Sequence, residues 1–188
     1  MVILFGAAGS GKSLQGQSLA SKYGWRWMSI GQLLRECNDP ELDATMKKGE
    51  LVPDDFVVKL MHSEMMKEVE VGRFAILDGY PRNQWQADWI IENGDDKYLD
   101  GAIILDVDHE ELWHRLIERG RADDTREAIE KRWSIFEQTI YSMTETLRGR
   151  GIEVVHINGV GSVEGVTKRI EDVLREWGII NVQESEMN

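Results

Sequence analysis

The chain has 188 residues and a formal net charge of -12, which suits one α/β domain with a substantial core and one active site. Such acidity excludes the broad basic face that a nucleic-acid binder uses to displace counterions, so an anionic ligand must sit in a local basic pocket. Cys37 is the single cysteine, which excludes an internal disulfide framework and a thiolate zinc cage and points to a reducing, cytoplasmic setting.

In chain order, residues 2–5 form a short apolar run expected to be a buried strand, without the basic flank and long apolar stretch of a signal peptide. No apolar run approaches the length of a membrane span, so no membrane partner is expected. A helical pattern at 14–23 precedes a second strand at 25–29. Asp39 with Pro40 signals a helix start. A strand at 74–77 precedes a helix opened by Asn83, and a strand at 102–107 precedes a long one opened by Thr125. The last strand, at 152–157, is followed by a helix opened by Ser162, and the tail at 178–188 is expected to fray. Short apolar runs alternating with longer amphipathic ones predict a five-stranded parallel sheet flanked by helices, in one domain spanning 1–188.

Residues 6–13 read Gly-Ala-Ala-Gly-Ser-Gly-Lys-Ser and satisfy G-x-x-x-x-G-K-[ST] between a strand and a helix, the context in which this P-loop motif cradles polyphosphate. Gly9 and Gly11 let the backbone curl so that N–H groups around Ser10 point inward, and the helix N-terminus adds partial positive charge. Lys12 is then placed to reach the β- and γ-phosphates of ATP, and Ser13 to ligate Mg²⁺. A glycine-rich turn with a solvent-facing lysine is the blander reading, which the full pattern in this context outweighs. P-loops also serve switches and motors. No Asn here precedes Lys, so the guanine-reading N-K-x-D is absent, as is an LSGGQ-type transporter signature.

Residues 77–82, Leu-Asp-Gly-Tyr-Pro-Arg, match D-G-[FY]-P-R after an apolar strand. Together with S-x-G-x-L-L-R at 29–35, G-x-L-V at 49–52 followed by Val57, and the spaced arginines that follow, they make the chain resemble the adenylate kinase family over almost its whole length. The resemblance implies a nucleoside monophosphate kinase that converts ATP and AMP to two ADP with Mg²⁺ and without zinc. Its acceptor-binding segment would span about 30–60 and a lid remnant about 119–125. Arg35 and Arg82, planar donors suited to phosphate, would hold the acceptor monophosphate. Ile30, Leu51, Val52, Gly79 and Gln86 would line the AMP site, with Gln86 on the adenine. Asp78, at the C-terminal end of its strand, would orient the waters of Mg²⁺. Arg115, Arg119, Arg121 and Arg132 would close over the transferring group, Arg119 on the ATP side and Arg121 and Arg132 also toward AMP. Arg115 and Arg119 stand four apart and share a helix face. Gly161 would lie in the loop against the donor adenine.

Several positions depart from the family pattern. Ala8 replaces a proline, Ser13 a glycine and Leu14 a threonine in the P-loop, Ile30 replaces a threonine or alanine, and Gln32 an aspartate that helps hold the metal's water shell. Gly120 is followed at once by Arg121, so the lid is very short, and ATP is expected to leak to hydrolysis more than under a full lid. The four histidines show no metal-ligand spacing and are read as packing or surface residues. Trp85, Trp89, Trp113 and Trp133 are expected to fill core or helix-packing faces. Two rivals are carried: a UMP/CMP or other monophosphate kinase, against which Gln86 counts, and a nucleotide-binding protein that has lost phosphotransfer. The retained arginines count against the second, because mere binding does not need charges aimed at a transition state. The compact pattern suggests a monomer.

Overall fold

The computed structural model describes residues 1–48, 52–120 and 125–181. Five parallel strands form one sheet: β1 (Val2–Phe5), β2 (Arg26–Ser29), β3 (Ala75–Asp78), β4 (Gly101–Asp106) and β5 (Val154–Asn158), in the order β2-β3-β1-β4-β5. Every strand predicted from sequence is present, with ends shifted by no more than two residues. Their apolar runs are continuous because both faces are covered. Along β1, Ile3 and Phe5 enter one core cluster while Val2 and Leu4 enter the other, as the two-residue period of a strand requires.

The described helices are α1 (Lys12–Tyr23), α2 (Ile30–Glu36), α3 (Pro40–Lys47), α4 (Asp54–Glu70), α5 (Gln84–Glu92), α6 (His109–Arg119), α7 (Arg126–Gly149) and α8 (Val163–Glu176). Side-chain caps fix several starts: Asp39 accepts from the Glu41 and Leu42 amides, Asn83 from Gln86, Thr125 from Ala128 and Ser162 from Gly165. Each cap satisfies an amide that has no partner within the helix. Asp108 caps α6 in the same way. The α4 start was not legible, because Pro53 precedes it without a capping side chain.

The larger cluster joins the sheet to α2, α4, α5 and α7 through Met28, Leu34, Met61, Tyr80, Ile90 and Leu147. The opposite face is covered by α1 and α8 through Leu19, Val166, Ile170 and Leu174. Ile180, in the segment expected to fray, is buried in that second cluster; residues 182–188 lie outside the described residues. A small third cluster, Leu112, Leu116, Ile129 and Trp133, joins α6 to α7 beneath Ala7 and Ala8. In parallel register Ser29 stands beside Asp78, and Asp78 beside Leu4, so polar groups collect at the C-terminal edge of the sheet, where ligands of open α/β folds bind.

Candidate active site

The loop after β1 closes on itself: the Ser10 amide donates to the Ala7 carbonyl at 3.1 Å, and the Lys12 ammonium reaches that oxygen at 3.3 Å. Gly9 has φ 93, and a Cβ there would stand 2.7 Å from the Leu112 carbonyl oxygen, so both conformation and clearance demand glycine. The lid-side helices brace the loop from behind. Trp133 Nε1 donates to the Ala8 carbonyl at 2.9 Å. Arg115 donates to the carbonyls of Ser10 at 3.3 Å and Gly159 at 3.2 Å while pairing with Glu111 at 2.7 Å.

In front of the loop lies a cavity of about 260 Å³. Lys12 and Ser13 line it from α1, Arg35 from α2, Asp78, Gly79 and Arg82 from β3 and the turn after it, Arg119 from α6 and Arg132 from α7. Arg82 Nε donates to the Gly79 carbonyl at 2.9 Å, which aims the rest of the guanidinium inward, and Arg132 Nη2 donates to the Met46 carbonyl at 3.3 Å. Burial holds the Arg82 guanidinium below its usual pKa, with Arg132 and Arg35 pushing the same way and Asp78 opposing them. Cations gathered in a partly dry cleft repel one another, and a bound polyanion turns that repulsion into attraction.

The cavity thus unites Lys12, Ser13, Arg35, Asp78, Gly79, Arg82, Arg119 and Arg132 of the predicted set. The other predicted residues sit elsewhere. Arg115 braces the P-loop from behind, and Gly9, Ser10 and Gly11 offer backbone; the Ser10 side chain is buried, and its hydroxyl has no hydrogen-bond partner among the described residues. Ile30 and Val52 face the core. Gln86 is 1% exposed, accepts from the Arg82 amide at 2.8 Å and donates to Asp54 at 2.7 Å. Gly161 lies on the loop between β5 and α8, where Arg169 fixes the neighbouring Asn158 and Val160 carbonyls. Leu51 and Arg121 lie outside the described residues, as do 121–124 of the lid.

Sequence reasoning missed Trp27, Gln17 and Ser29, which also line the cavity; the available signal was that Trp27 and Ser29 share one face of β2. Trp85, expected to fill a packing face, is 46% exposed, because α5 turns Ala87 and Ile90 to the core instead. Each histidine lies beside a carboxylate: His62 by Asp95, His109 by Glu137, His114 by Glu118 and His156 by Asp106.

Among the described residues no three His, Cys, Asp or Glu side chains gather as a metal site. Ser13, Ser29 and Asp78 on the cavity wall are oxygen donors, and they fit a hard cation such as Mg²⁺ held mainly by phosphates and water.

A parallel sheet whose central strand feeds a P-loop into a cleft of converging arginines defines a P-loop phosphotransferase acting on small phosphorylated substrates. The family model described as adenylate kinase matches residues 4–152. The chain is 35% identical over 181 residues to the adenylate kinase of Bacteroides fragilis, covering 90% of this chain and 95% of that one. It is 32% identical over 178 residues to the adenylate kinase of Synechococcus sp. (strain WH7803), covering 90% and 96%. With adenylate kinase isoenzyme 1 of Gallus gallus it shares 32% identity over 182 residues, covering 90% and 91%. The chain belongs to the adenylate kinase family, a family of ATP-dependent nucleoside monophosphate kinases.

Proposed function

We propose that this chain catalyses reversible phosphoryl transfer from ATP to AMP, giving two ADP, and that the cavity is where both phosphate chains meet. The carrying observation is that Lys12 of the P-loop shares one cleft with Arg35 and Arg82 on the acceptor side and Arg119 and Arg132 on the lid side. An oxygen of the acceptor monophosphate attacks the γ-phosphorus of ATP, and the bond to the bridging oxygen breaks, leaving ADP on both sides. No protein nucleophile is needed, because positioning and charge neutralisation supply the rate.

Arg35 and Arg82 hold and orient the acceptor phosphate, and Lys12, Arg119, Arg121 and Arg132 stabilise charge spreading over the transferred group. Backbone amides of Gly9, Ser10 and Gly11 cradle the donor phosphates, with Gly161 near its base. Ser13 and Asp78 are the residues that would hold Mg²⁺, directly or through its waters, and the ion when bound neutralises the β- and γ-phosphates. Arg115 acts through the loop it braces. No described helix is long and apolar enough to cross a membrane, and we place the enzyme in the cytoplasm as a monomer.

A second reading of the acceptor rests on Gln86, whose amide is already engaged by Arg82 and Asp54. The amide keeps one N–H and one oxygen lone pair uncommitted, but Gln86 is buried and does not line the cavity, so reading adenine through it requires the side chain to move, and a pyrimidine monophosphate remains the rival acceptor. Coupled-assay turnover with AMP, UMP, CMP, GMP and dAMP, each with Mg-ATP, decides this. Fastest turnover with AMP is expected; a pyrimidine in first place would overturn the AMP assignment, and no turnover with any acceptor would overturn the kinase reading. ATP consumption without acceptor, measured alongside, tests the expectation that the short lid lets ATP leak to water.

A further inference from the structure

We propose that Trp27 is a positioning residue for phosphoryl transfer: its indole N–H fixes one oxygen of the Asp78 carboxylate so that the other faces the nucleotide, and Gly16 is the clearance that lets the indole sit there. This rests on the kinase reading above and adds residues that reading does not use.

Three observations carry it. Trp27 Nε1 donates to Asp78 Oδ2 at 3.2 Å, the single hydrogen bond to that carboxylate among the described residues. Asp78 is 2% exposed and ends β3 on the cavity wall, with Trp27 beside it on the same wall. A carboxylate in that position has one oxygen committed to the indole and one left to turn toward the ligand, so its rotation is restrained before substrate arrives.

The third observation comes from α1. Gly16 lies in the helix interior with no positive φ, where glycine costs about 1 kcal/mol relative to alanine. A Cβ there would stand 2.7 Å from Trp27 Cδ1 and 2.9 Å from Nε1. These are atoms of the rigid indole ring and not the far end of a flexible chain, so a methyl group at position 16 would displace the ring from its bond to Asp78. Gly16 does not line the cavity, so its small size serves the tryptophan and not the nucleotide. An indole N–H is also a permanent donor with no acceptor role. Its hydrogen bond to Asp78 therefore never depends on the indole changing protonation state. Gln32 on the same wall is neutral, and Asp78 is the one carboxylate among the described residues that line the cavity.

The test compares wild type with Trp27→Phe, Gly16→Ala, Asp78→Asn and the pair Trp27→Ala and Trp27→Ala/Gly16→Ala. Four quantities are read: Tm, the kcat and the KM for AMP, and the affinity of Mn²⁺, as a stand-in for Mg²⁺, for the enzyme–ATP complex from the free-ion electron paramagnetic resonance signal. Trp27→Phe should lower kcat and Mn²⁺ affinity by about 10-fold, the lower end for loss of a partner behind a metal site, with KM for AMP within about 2-fold. Gly16→Ala should reproduce the direction of both changes, and should add nothing in the Trp27→Ala background. A Trp27→Phe enzyme with wild-type kcat and Mn²⁺ affinity, whatever its Tm, would show that the indole only fills space and would overturn the proposal. Unchanged Mn²⁺ affinity in Asp78→Asn would overturn it too, by removing the carboxylate it acts through. Wild type that binds ATP and Mn²⁺ but moves no phosphoryl group defeats the kinase reading instead, and the binding arm still tests Trp27.

Discussion

The cavity and the face where α1 meets α8 treat charge in opposite ways. Behind α1, Glu171 accepts from Lys22 at 2.7 Å and Tyr23 at 3.0 Å and pairs with Arg175 at 3.3 Å, and Gln15 accepts from Thr167 while donating to the Val163 carbonyl. On that face the buried polar groups are matched within the protein. In the cleft, Arg35, Arg82 and Arg132 lie close enough for two of them to depress the third, in a chain whose net charge is -12. Matched networks hold a fold together, whereas like charges collected around a space favour a polyanionic ligand.

Mutation should separate the two regions. The largest effect is expected for Arg82→Ala, with kcat falling about 10³-fold, the lower range for a transition-state arginine, while Tm holds or rises because a repelling charge is removed. A kcat drop that tracked unfolding, read by circular dichroism on the same samples, would erase the distinction. Next comes Gly9→Ala, where forced φ and collision with the Leu112 carbonyl should cost about 1–3 kcal/mol and weaken ATP binding in calorimetry. Glu171→Gln, on the matched face, should cost about 1–3 kcal/mol by removing an ionised acceptor and leave kcat per folded molecule unchanged.

Two smaller effects sharpen the comparison. The Ser10 hydroxyl is buried without a partner among the described residues, so Ser10→Ala should raise stability by up to about 1 kcal/mol; a lower Tm in calorimetric scans would reveal a partner such as bound water. Glu68 is held below its usual pKa chiefly by hydrogen bonds from Arg73. Its folded value lies below its unfolded one, so its contribution is complete above the unfolded pKa and is lost as pH falls through the folded value. Melting curves from neutral to acid pH should therefore show a shallower acid decline in Arg73→Ala than in wild type.

The strands were legible because both faces of a parallel sheet are buried, which writes each as a continuous apolar run. The capped helices were legible because Asp39, Asn83, Thr125 and Ser162 bond amides only three residues away or fewer. The P-loop could be read for the same reason: its glycines, lysine and serine act within one turn. Arg82 and Arg35 could be named from motifs that keep their local spacing.

Side-chain direction could not be read. Arg115 and Arg119 share a helix face by spacing, yet Arg119 lines the cleft while Arg115 grips the Ser10 and Gly159 carbonyls, because loops distant in sequence arrive beside one turn of α6 and not the next. Gln86 sits four residues after Arg82 as its motif demands, but Asp54, brought over by α4, draws its amide into the core. Trp27 shares a face of β2 with Ser29, which hinted at the cleft wall, but its bond to Asp78 and its fit against Gly16 cross element boundaries and left no local trace. The sequence by itself determined the order of strands and helices, the phosphate loop and the family, all written in periodicity and short-range spacing. Which arginines line the cleft, which one braces the loop, and what holds Asp78 were decided only when the sheet order β2-β3-β1-β4-β5 set segments tens of residues apart side by side, because contacts of that kind depend on packing and not on local pattern.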